Sequence, residues 1–196
     1  MKAPLFIGLM SGTSMDGVDA VLASFGPQGA QIHQTHSLPM PAALRDELLA
    51  LQHPGHNELA RASIAAQQLT ELYAQACLPW TQVPEKDLIR AIGVHGQTIR
   101  HAPDQGYTLQ LNAPALLAER CGVDVIADFR SRDIAAGGQG APLVPIVHEA
   151  LFRHEHGRVI LNLGGIANIS LLLPGRNVFG FDTGPANMLL DAWVNK

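Results

Sequence analysis

Residues 8–25 of the chain read GLMSGTSMDGVDAVLASF and predict two strands joined by an unusually long turn. An apolar run that ends at Met10 is followed by small and polar residues, and a second apolar run begins at Val18. A hairpin between two strands needs only about two to five turn residues. The additional residues supply backbone N–H groups and hydroxyls, the donors that an anionic ligand such as phosphate requires. A long glycine-rich turn without a ligand is the alternative that this stretch leaves open.

The composition indicates a folded protein with a substantial core. Of the 196 residues, 47% are hydrophobic and 15% are charged, which is outside the range of disordered chains. The formal net charge of −4 and the lack of a basic cluster argue against a nucleic-acid partner. No apolar run is long enough for a membrane span. Cys77 and Cys121 fit no metal or redox spacing, which favours a reducing cytoplasm.

Hydrophobic periodicity predicts an alternation of strands and helices in the first part of the chain. Asn57 is expected to cap the second helix and Pro79 to end it. The unbroken apolar run at 123–127 predicts a strand buried on both faces, and the glycine-rich segment 130–142 predicts a loop. The predicted strands are 5–10, 18–25, 31–39, 88–94, 107–111 and 123–127, and the predicted helices are 41–52, 57–78, 113–122 and 142–154.

The opening pattern returns near the end of the chain. RVILNL (158–163) runs into Gly164–Gly165, and IANISLLL (166–173) follows. This repeat predicts an α/β fold with a mixed sheet in a lobe at 1–156 and the start of a second, similar lobe at 157–196. The second lobe would comprise a turn at 174–177, a strand at 178–182 and a helix at 187–194.

Such a short second lobe would leave a sheet face and edge uncovered. We therefore expect the chain to be part of a longer protein. An exposed half-lobe also favours self-association, with a homodimer as the simplest form.

The sequence FDTGPAN, residues 181–187, places a carboxylate at the end of a predicted strand. Two glycine turns facing each other across a cleft would hold a polyphosphate, and Asp182 at the adjoining sheet edge would deprotonate an attacking oxygen. Asp182 would alternatively cap the following helix, and the two roles are compatible. The sequence has no Walker-type phosphate loop, dinucleotide fingerprint or serine-hydrolase elbow, and its histidine pairs lack the spacing that would assign a metal site.

Six segments together resemble the anhydro-N-acetylmuramic acid kinase family, and they extend from residue 8 to residue 187. They are GLMSGTSMDGVDA, HGQTIRH, LNAPALLAE, ADFRSRDIAAGGQGAPLVP, LNLGGIANIS and FDTGPAN. The resemblance implies the actin-like superfamily, in which two ribonuclease-H-like lobes close over ATP. It also implies a bacterial, cytoplasmic enzyme of cell-wall recycling. Such an enzyme uses ATP, Mg²⁺ and water to convert 1,6-anhydro-N-acetylmuramic acid into N-acetylmuramic acid 6-phosphate.

The same resemblance assigns roles to individual residues. Asp182 aligns with the catalytic base of the family, which takes a proton from the water that attacks the anomeric carbon. The superfamily usually has an aspartate before its first glycine turn, where this chain has Leu9 and Met10, so Asp16 or Asp19 would take over the metal or water contacts. The segment that aligns with the ATP-phosphate site comprises Gly12, Thr13, Ser14, Met15, Asp16, Gly17, Val18 and Asp19.

Arg130, His95 and Gln97 are candidates for the sugar site. Arg130 offers a bidentate fork to the lactyl carboxylate or to another sugar oxygen, or it forms a structural ion pair with Asp128 or Asp133. His95 and Gln97 would line the sugar pocket or complete a loop hydrogen-bond network.

The sequence also allows a structural role for one group of glycines and two competing functions for the chain. The glycines at 137, 138 and 140 suit a hinge or loop-packing role. The main competing function is an incomplete actin-like lobe that binds sugar or nucleotide without catalysis or that needs a partner chain to complete it. An acyl hydrolase built on Ser14 and His95 is a third, more distant hypothesis.

Overall fold

The structure is a computed structural model that describes residues 3–27 and 29–194. It shows an α/β fold, which confirms the predicted class, with strands arranged in a five-stranded, a three-stranded and a two-stranded sheet. The predicted outer limits at residues 1 and 196 lie outside the described residues. The strands are β1 (Leu5–Met10), β2 (Gly17–Gly26), β3 (Gly29–Pro39), β4 (Ile89–Val94), β5 (Gln97–Ala102), β6 (Tyr107–Leu111), β7 (Val125–Ile126), β8 (Arg158–Leu163), β9 (Ile166–Leu172) and β10 (Phe179–Pro185), and the helices are α1 (Ala42–Ala50), α2 (Glu58–Thr81), α3 (Pro114–Cys121), α4 (Phe129–Ala135), α5 (Pro145–Phe152) and α6 (Asn187–Val194).

The five-stranded sheet is mixed, in the order β3-β2-β1-β4-β7. Strands β1 and β2 form the antiparallel pair that surrounds the first glycine turn, with Ile7 opposite Leu22. Strand β4 runs parallel to β1 on its other side, and a parallel neighbour requires a long crossover. That crossover contains α1 and α2.

Helix α2 supplies much of the core that covers this sheet. Leu69, Tyr73 and Cys77 recur at helical spacing and are fully buried, so one stripe of the helix faces the strands. Leu117 and Cys121 of α3 belong to the same cluster. This packing holds the end of β1, and therefore the start of the first turn, in a fixed position.

Asn57 occupies the predicted N-cap position of α2, but it has a φ of 53°, in the left-handed region, and its side chain makes no capping hydrogen bond. The prediction that Pro79 ends this helix was wrong. Pro79 lies inside the helix, which continues to Thr81. Pro79 removes only one donor in the last turn, while Trp80 and Thr81 are buried and the Thr81 hydroxyl donates to the carbonyl oxygen of Cys77 at 3.1 Å.

Two further predictions, for 123–127 and 130–142, were also wrong. Strand β7 comprises only two residues, lies at the sheet edge and leaves Ile126 54% exposed. It pairs with β4 at two positions only, too few to extend a buried strand. The predicted loop at 130–142 begins as helix α4, because its first residues precede the glycines and lack any helix-breaking residue.

The second sheet is antiparallel, in the order β10-β9-β8, and contains only strands that follow residue 157. Helix α5 packs against β9. The backbone N–H groups of Ala186 and Asn187 donate to the carbonyl oxygens of Gly165 and Gly164 at 3.0 and 2.9 Å. The start of α6 is thereby attached to the second glycine turn, while the assignment of two lobes stays a prediction.

Candidate functional site

The two glycine turns lie on one cleft of about 540 Å³. The β1–β2 turn contributes one wall, the β8–β9 turn and β10 contribute another, and Thr98 and His101 of β5 with Arg130 of α4 complete the lining. The cleft residues are Met10, Gly12, Thr13, Ser14, Asp16, Thr98, His101, Arg130, Ala141, Pro142, Asn162, Gly164, Gly165, Ile166, Asn168, Asp182 and Asn187.

The first turn is held from beneath by the core. The Ser11 hydroxyl and the Tyr73 hydroxyl are hydrogen-bonded at 2.7 Å, and both residues are buried. Met15 is fully buried at a φ of 52°, and its N–H donates to the carbonyl oxygen of Gly12 at 3.1 Å. Because Met15 points into the core, the residues on either side of it are presented to the cleft.

The structure divides the predicted ATP-phosphate segment into cleft and non-cleft residues. Gly12, Thr13, Ser14 and Asp16 line the cleft, and the Ser14 hydroxyl donates to Asp16 Oδ1 at 2.8 Å. Met15, Gly17, Val18 and Asp19 do not line it.

The residues outside the cleft have other neighbours. Val18 is fully buried, and a Cβ added at Gly17 would lie 2.6 Å from the Leu38 carbonyl oxygen. Asp19 accepts a hydrogen bond from the Ser37 hydroxyl at 2.6 Å on the adjacent strand. Of the two carboxylates considered for metal or water contacts, Asp16 is therefore the one that lines the cleft.

Asp182 is an exposed cleft residue on β10, opposite Asn168. The register of β10 shifts between Asp182 and Gly184, and Gly184 has a φ of 144°. Asp182 thus lies within β10 and not at its end, as the sequence had predicted, and a bulge of this kind redirects the side chains beside it. Helix α6 begins only at Asn187, so the expectation that Asp182 caps this helix was wrong.

Arg130 and His95 form a hydrogen-bonded pair at the cleft. Arg130 Nε donates to His95 Nε2 at 2.7 Å. Since Nε2 accepts, the ring proton of neutral His95 is on Nδ1, which donates to the Gly96 carbonyl oxygen at 2.6 Å. Burial, and then the Arg130 charge, lower the pKa of His95. A neutral His95 therefore orients the guanidinium.

A glycine-rich loop holds the other side of Arg130. Arg130 Nη1 donates to the Gly140 carbonyl oxygen at 2.7 Å, and Asp133 Oδ2 accepts from the Gly140 N–H at 2.8 Å. A Cβ added at Gly138 would lie 2.2 Å from the same Asp133 oxygen. Burial lowers the pKa of Arg130 against the opposing effect of Asp182.

Neither structural ion pair considered for Arg130 is formed. Among the side chains that the structure describes, no carboxylate oxygen lies within the 4.0 Å ion-pair distance of Arg130. Asp128 starts helix α4 in the left-handed region, and Asp133 bonds to the loop instead. The Arg130 guanidinium is thus held by neutral partners, so its positive charge is available to a ligand in the cleft.

A second cavity of about 790 Å³ adjoins the cleft. It includes His95, and the residues that it shares with the cleft are Met10, Arg130, Pro142, Asn162 and Asn168. Apolar side chains from α4, α5 and the segment between them form most of its remaining wall; they include Phe129, Leu143, Val144, Ile146 and Val147.

Gln97 and His101 have positions that the sequence did not predict. Gln97 is only 1% exposed and lines neither cavity. Thr98 and His101 line the cleft because they lie on β5, which was not predicted as a strand. A bulge between Thr98 and Arg100 puts Thr98 and His101 on the same face. The motif HGQTIRH was the signal for this strand, but the bulge breaks its alternation.

One group of potential metal ligands occurs elsewhere in the described part of the chain. His154, Glu155 and His156 have ligand atoms within 4.8 Å of one another. All three residues are exposed and belong to neither cavity. Among the described helices, none combines the length and apolarity needed to cross a membrane.

The fold and the site define an α/β protein with a polar cleft between two glycine turns. Comparison with known proteins identifies the family: the sequence profile described as anhydro-N-acetylmuramic acid kinase matches residues 4–196. The chain belongs to the anhydro-N-acetylmuramic acid kinase family, which confirms the resemblance carried by the six segments.

Individual relatives carry the same description. The Bordetella pertussis anhydro-N-acetylmuramic acid kinase is 63% identical over 195 residues, covering 98% of this chain and 51% of the relative. The Acinetobacter baylyi protein is 54% identical over 197 residues, covering 98% of this chain and 52% of that protein. The chain therefore spans about half the length of these relatives.

Solved structures give a more distant match. A Ppx/GppA phosphatase from Aquifex aeolicus aligns with a TM-score of 0.45 and 11% identity, covering 92% of this chain and 53% of that one. An exopolyphosphatase from Cytophaga hutchinsonii gives a TM-score of 0.44 and 9% identity over 96% and 53% of the two chains.

Proposed function

We propose that the chain carries the phosphoryl-transfer site of an anhydro-N-acetylmuramic acid kinase. The reaction consumes ATP and water and converts 1,6-anhydro-N-acetylmuramic acid into N-acetylmuramic acid 6-phosphate. The observation that supports this most strongly is that both glycine turns and Asp182 line one cleft. This arrangement offers backbone donors to a polyphosphate from two sides and places a carboxylate beside it.

The first turn suits the phosphates of ATP. Gly12 leaves space for close backbone approach, and Thr13 adds a hydroxyl donor at the cleft. The Ser14 hydroxyl donates its hydrogen to Asp16 and so orients that carboxylate. Asp16 accepts from Ser14 through Oδ1, and no described residue donates to its Oδ2, which leaves that oxygen to a hard cation or its water ligands and fits Mg²⁺. When bound, Mg²⁺ would neutralise phosphate charge during transfer.

Asp182 is the proposed base. Its carboxylate takes a proton from the attacking water while the water oxygen bonds to the anomeric carbon. The bond between that carbon and O6 breaks, and O6 takes the γ-phosphoryl group as ADP leaves. This sequence balances without a covalent enzyme intermediate.

Arg130 is the proposed anchor for the lactyl carboxylate of the sugar. Its Nε and Nη1 atoms are used by His95 and Gly140, which leaves Nη2 to face a ligand. The two neutral partners fix the guanidinium plane, and a fixed plane favours a charge-assisted bond to a carboxylate. His95 acts through Arg130 and is a positioning residue.

The decisive experiment measures ADP release from Mg-ATP with and without 1,6-anhydro-N-acetylmuramic acid, for the chain and for Asp182→Asn. Sugar-dependent release that disappears in Asp182→Asn is the expected result. Calorimetric binding of the sugar to both proteins is measured in parallel. A chain that binds the sugar but releases ADP equally well with Asp182→Asn would refute the assigned base, and absence of both binding and release would refute the function.

We further propose a cytoplasmic location and a homodimer. The location is supported by the use of ATP and by two buried thiols, Cys77 and Cys121. The homodimer is supported by exposed apolar side chains on the second sheet and α6, including Val159, Leu161 and Leu190. Sedimentation equilibrium tests the assembly, and a monomer at all concentrations would contradict it.

A further inference from the structure

His101 is a titratable cleft residue to which neither the family motif nor the proposed mechanism gives a task. It lies on β5 and lines the cleft together with Thr98, Arg130 and Asp182. Its Nδ1 atom is 3.0 Å from the hydroxyl oxygen of Thr108 on the paired strand β6. No described residue forms a hydrogen bond with its Nε2 atom.

The hydrogen bonds of Thr108 favour a proton on Nδ1 of His101. The Thr108 hydroxyl has one hydrogen, which it donates to the Arg100 carbonyl oxygen at 3.3 Å. The same oxygen accepts from Gln110 Nε2 at 2.7 Å. Thr108 is therefore an acceptor for His101, so Nδ1 bears the proton and neutral His101 presents Nε2 as a bare acceptor.

Thr98 completes the local arrangement. Gln110 Nε2 also donates to the Thr98 hydroxyl oxygen at 3.2 Å, which leaves the Thr98 hydrogen available to the cleft. Thr98 thus offers the cleft a hydrogen-bond donor, and His101 offers an acceptor. A hydroxyl group, which both donates and accepts, matches this pair.

The acceptor on His101 discriminates between the two ligands of the cleft. Phosphate oxygens of ATP carry no hydrogen to donate at neutral pH, whereas a sugar hydroxyl does. Burial and the Arg130 charge lower the pKa of His101 against the effect of Asp182, and Asp16 is the remaining charged group on this cleft. The imidazole therefore stays neutral at pH 7 and keeps its acceptor.

We infer that His101 binds the sugar substrate by accepting a hydrogen bond at Nε2 from a sugar hydroxyl, in a geometry fixed by Thr108. This inference rests on the proposed function. It assigns a specificity-determining contact: an analogue with a methylated hydroxyl at that position would lose the bond.

The test compares two replacements of His101 in the full chain. His101→Asn retains a polar group near the Nδ1 position and lacks one at the Nε2 position, whereas His101→Gln places an amide oxygen near Nε2. Sugar affinity is measured by calorimetry without nucleotide, and affinity for a non-hydrolysable ATP analogue is measured separately. We expect about a tenfold loss of sugar affinity for His101→Asn, recovery to within about threefold for His101→Gln, and unchanged nucleotide affinity.

The outcomes separate this inference from the proposed function. If the native chain binds the sugar and His101→Asn binds it equally well, the inference is overturned while the kinase function stands. A fall in turnover with unchanged sugar affinity would also overturn it, because it would assign His101 to the attacking water. If the native chain does not bind the sugar, both are overturned. Nitrogen NMR of the ring provides an independent measurement, and a proton on Nε2 in the free protein would contradict the inferred acceptor.

Discussion

Replacing Tyr73 by phenylalanine removes one hydroxyl from beneath the first glycine turn. The Tyr73 side chain is fully buried and Ser11 is 2% exposed, so water cannot replace the lost partner. The Ser11 hydroxyl, which lies 2.7 Å from the Tyr73 hydroxyl in the native chain, would lose this hydrogen-bond partner. It would then keep the desolvation cost of an unpaired buried group. We expect the free energy of unfolding to fall by about 1–3 kcal/mol.

Urea unfolding of four proteins measures this effect: the native chain, Tyr73→Phe, Ser11→Ala and the double variant. In thermal unfolding of a chain of this size, each kcal/mol lost from the free energy of unfolding lowers the melting temperature by about 2–4 °C. Since the double variant leaves neither hydroxyl unpaired, its loss should be smaller than the sum of the single losses by about 1 kcal/mol. Strict additivity would refute the argument that the two hydroxyls stabilise the turn as a pair.

The same hydroxyl makes stability depend on alkaline pH. Burial raises the pKa of Tyr73 above its ordinary value, with the Ser11 bond acting in the opposite direction. The folded state therefore holds this proton more tightly than the unfolded state. Stability is fully present below about pH 10 and falls as pH rises further. Tyr73→Phe should reduce the fall of the unfolding free energy with pH in this range. An unchanged pH dependence would exclude Tyr73 as its source.

Two further changes test the support of Arg130. Gly138→Ala would push a Cβ into the Asp133 carboxylate, so we expect a loss of about 1–3 kcal/mol and weaker sugar binding. Gly26→Ala is the control, because a Cβ added at Gly26 would have no atom within 4 Å, and its free energy of unfolding should hardly change. Equal losses of stability in the two variants would refute the steric argument. Burial and Arg130 depress the pKa of His95, so its contribution to stability is present above about pH 6.5 and is lost as pH falls further. His95→Gln should flatten that acid slope in urea unfolding, and a slope identical to that of the native chain would contradict it.

The sequence predicted the parts of this site that depend on local signals. The apolar runs before Gly12 and Gly164 end abruptly at small residues, so both strand–turn–strand units could be identified without tertiary information. The β1 strand has the predicted bounds, Leu5–Met10. The aromatic residues before Asp182 indicated its strand, but the predicted end at Asp182 was wrong, because β10 continues to Pro185.

What was missed depends on pairing across the chain. His101 reaches the cleft only because of the bulge between Thr98 and Arg100, and a bulge is determined by two strands together. Pro79 remains helical because the residues that follow it are buried against the sheet, which outweighs its weak propensity. Met15 lies in the predicted phosphate segment, yet it points into the core at a backbone conformation that the sequence does not encode in any recognisable pattern.

We propose that the two glycine turns hold the same ligand from opposite sides of one cleft. Hydrogen exchange of the backbone amides measures this directly, with and without Mg²⁺ and a non-hydrolysable ATP analogue. We expect exchange to slow together in the first turn, residues 12–16, and in the second turn, Gly164–Gly165. Slowing in only one turn, or in neither at saturating nucleotide, would contradict it.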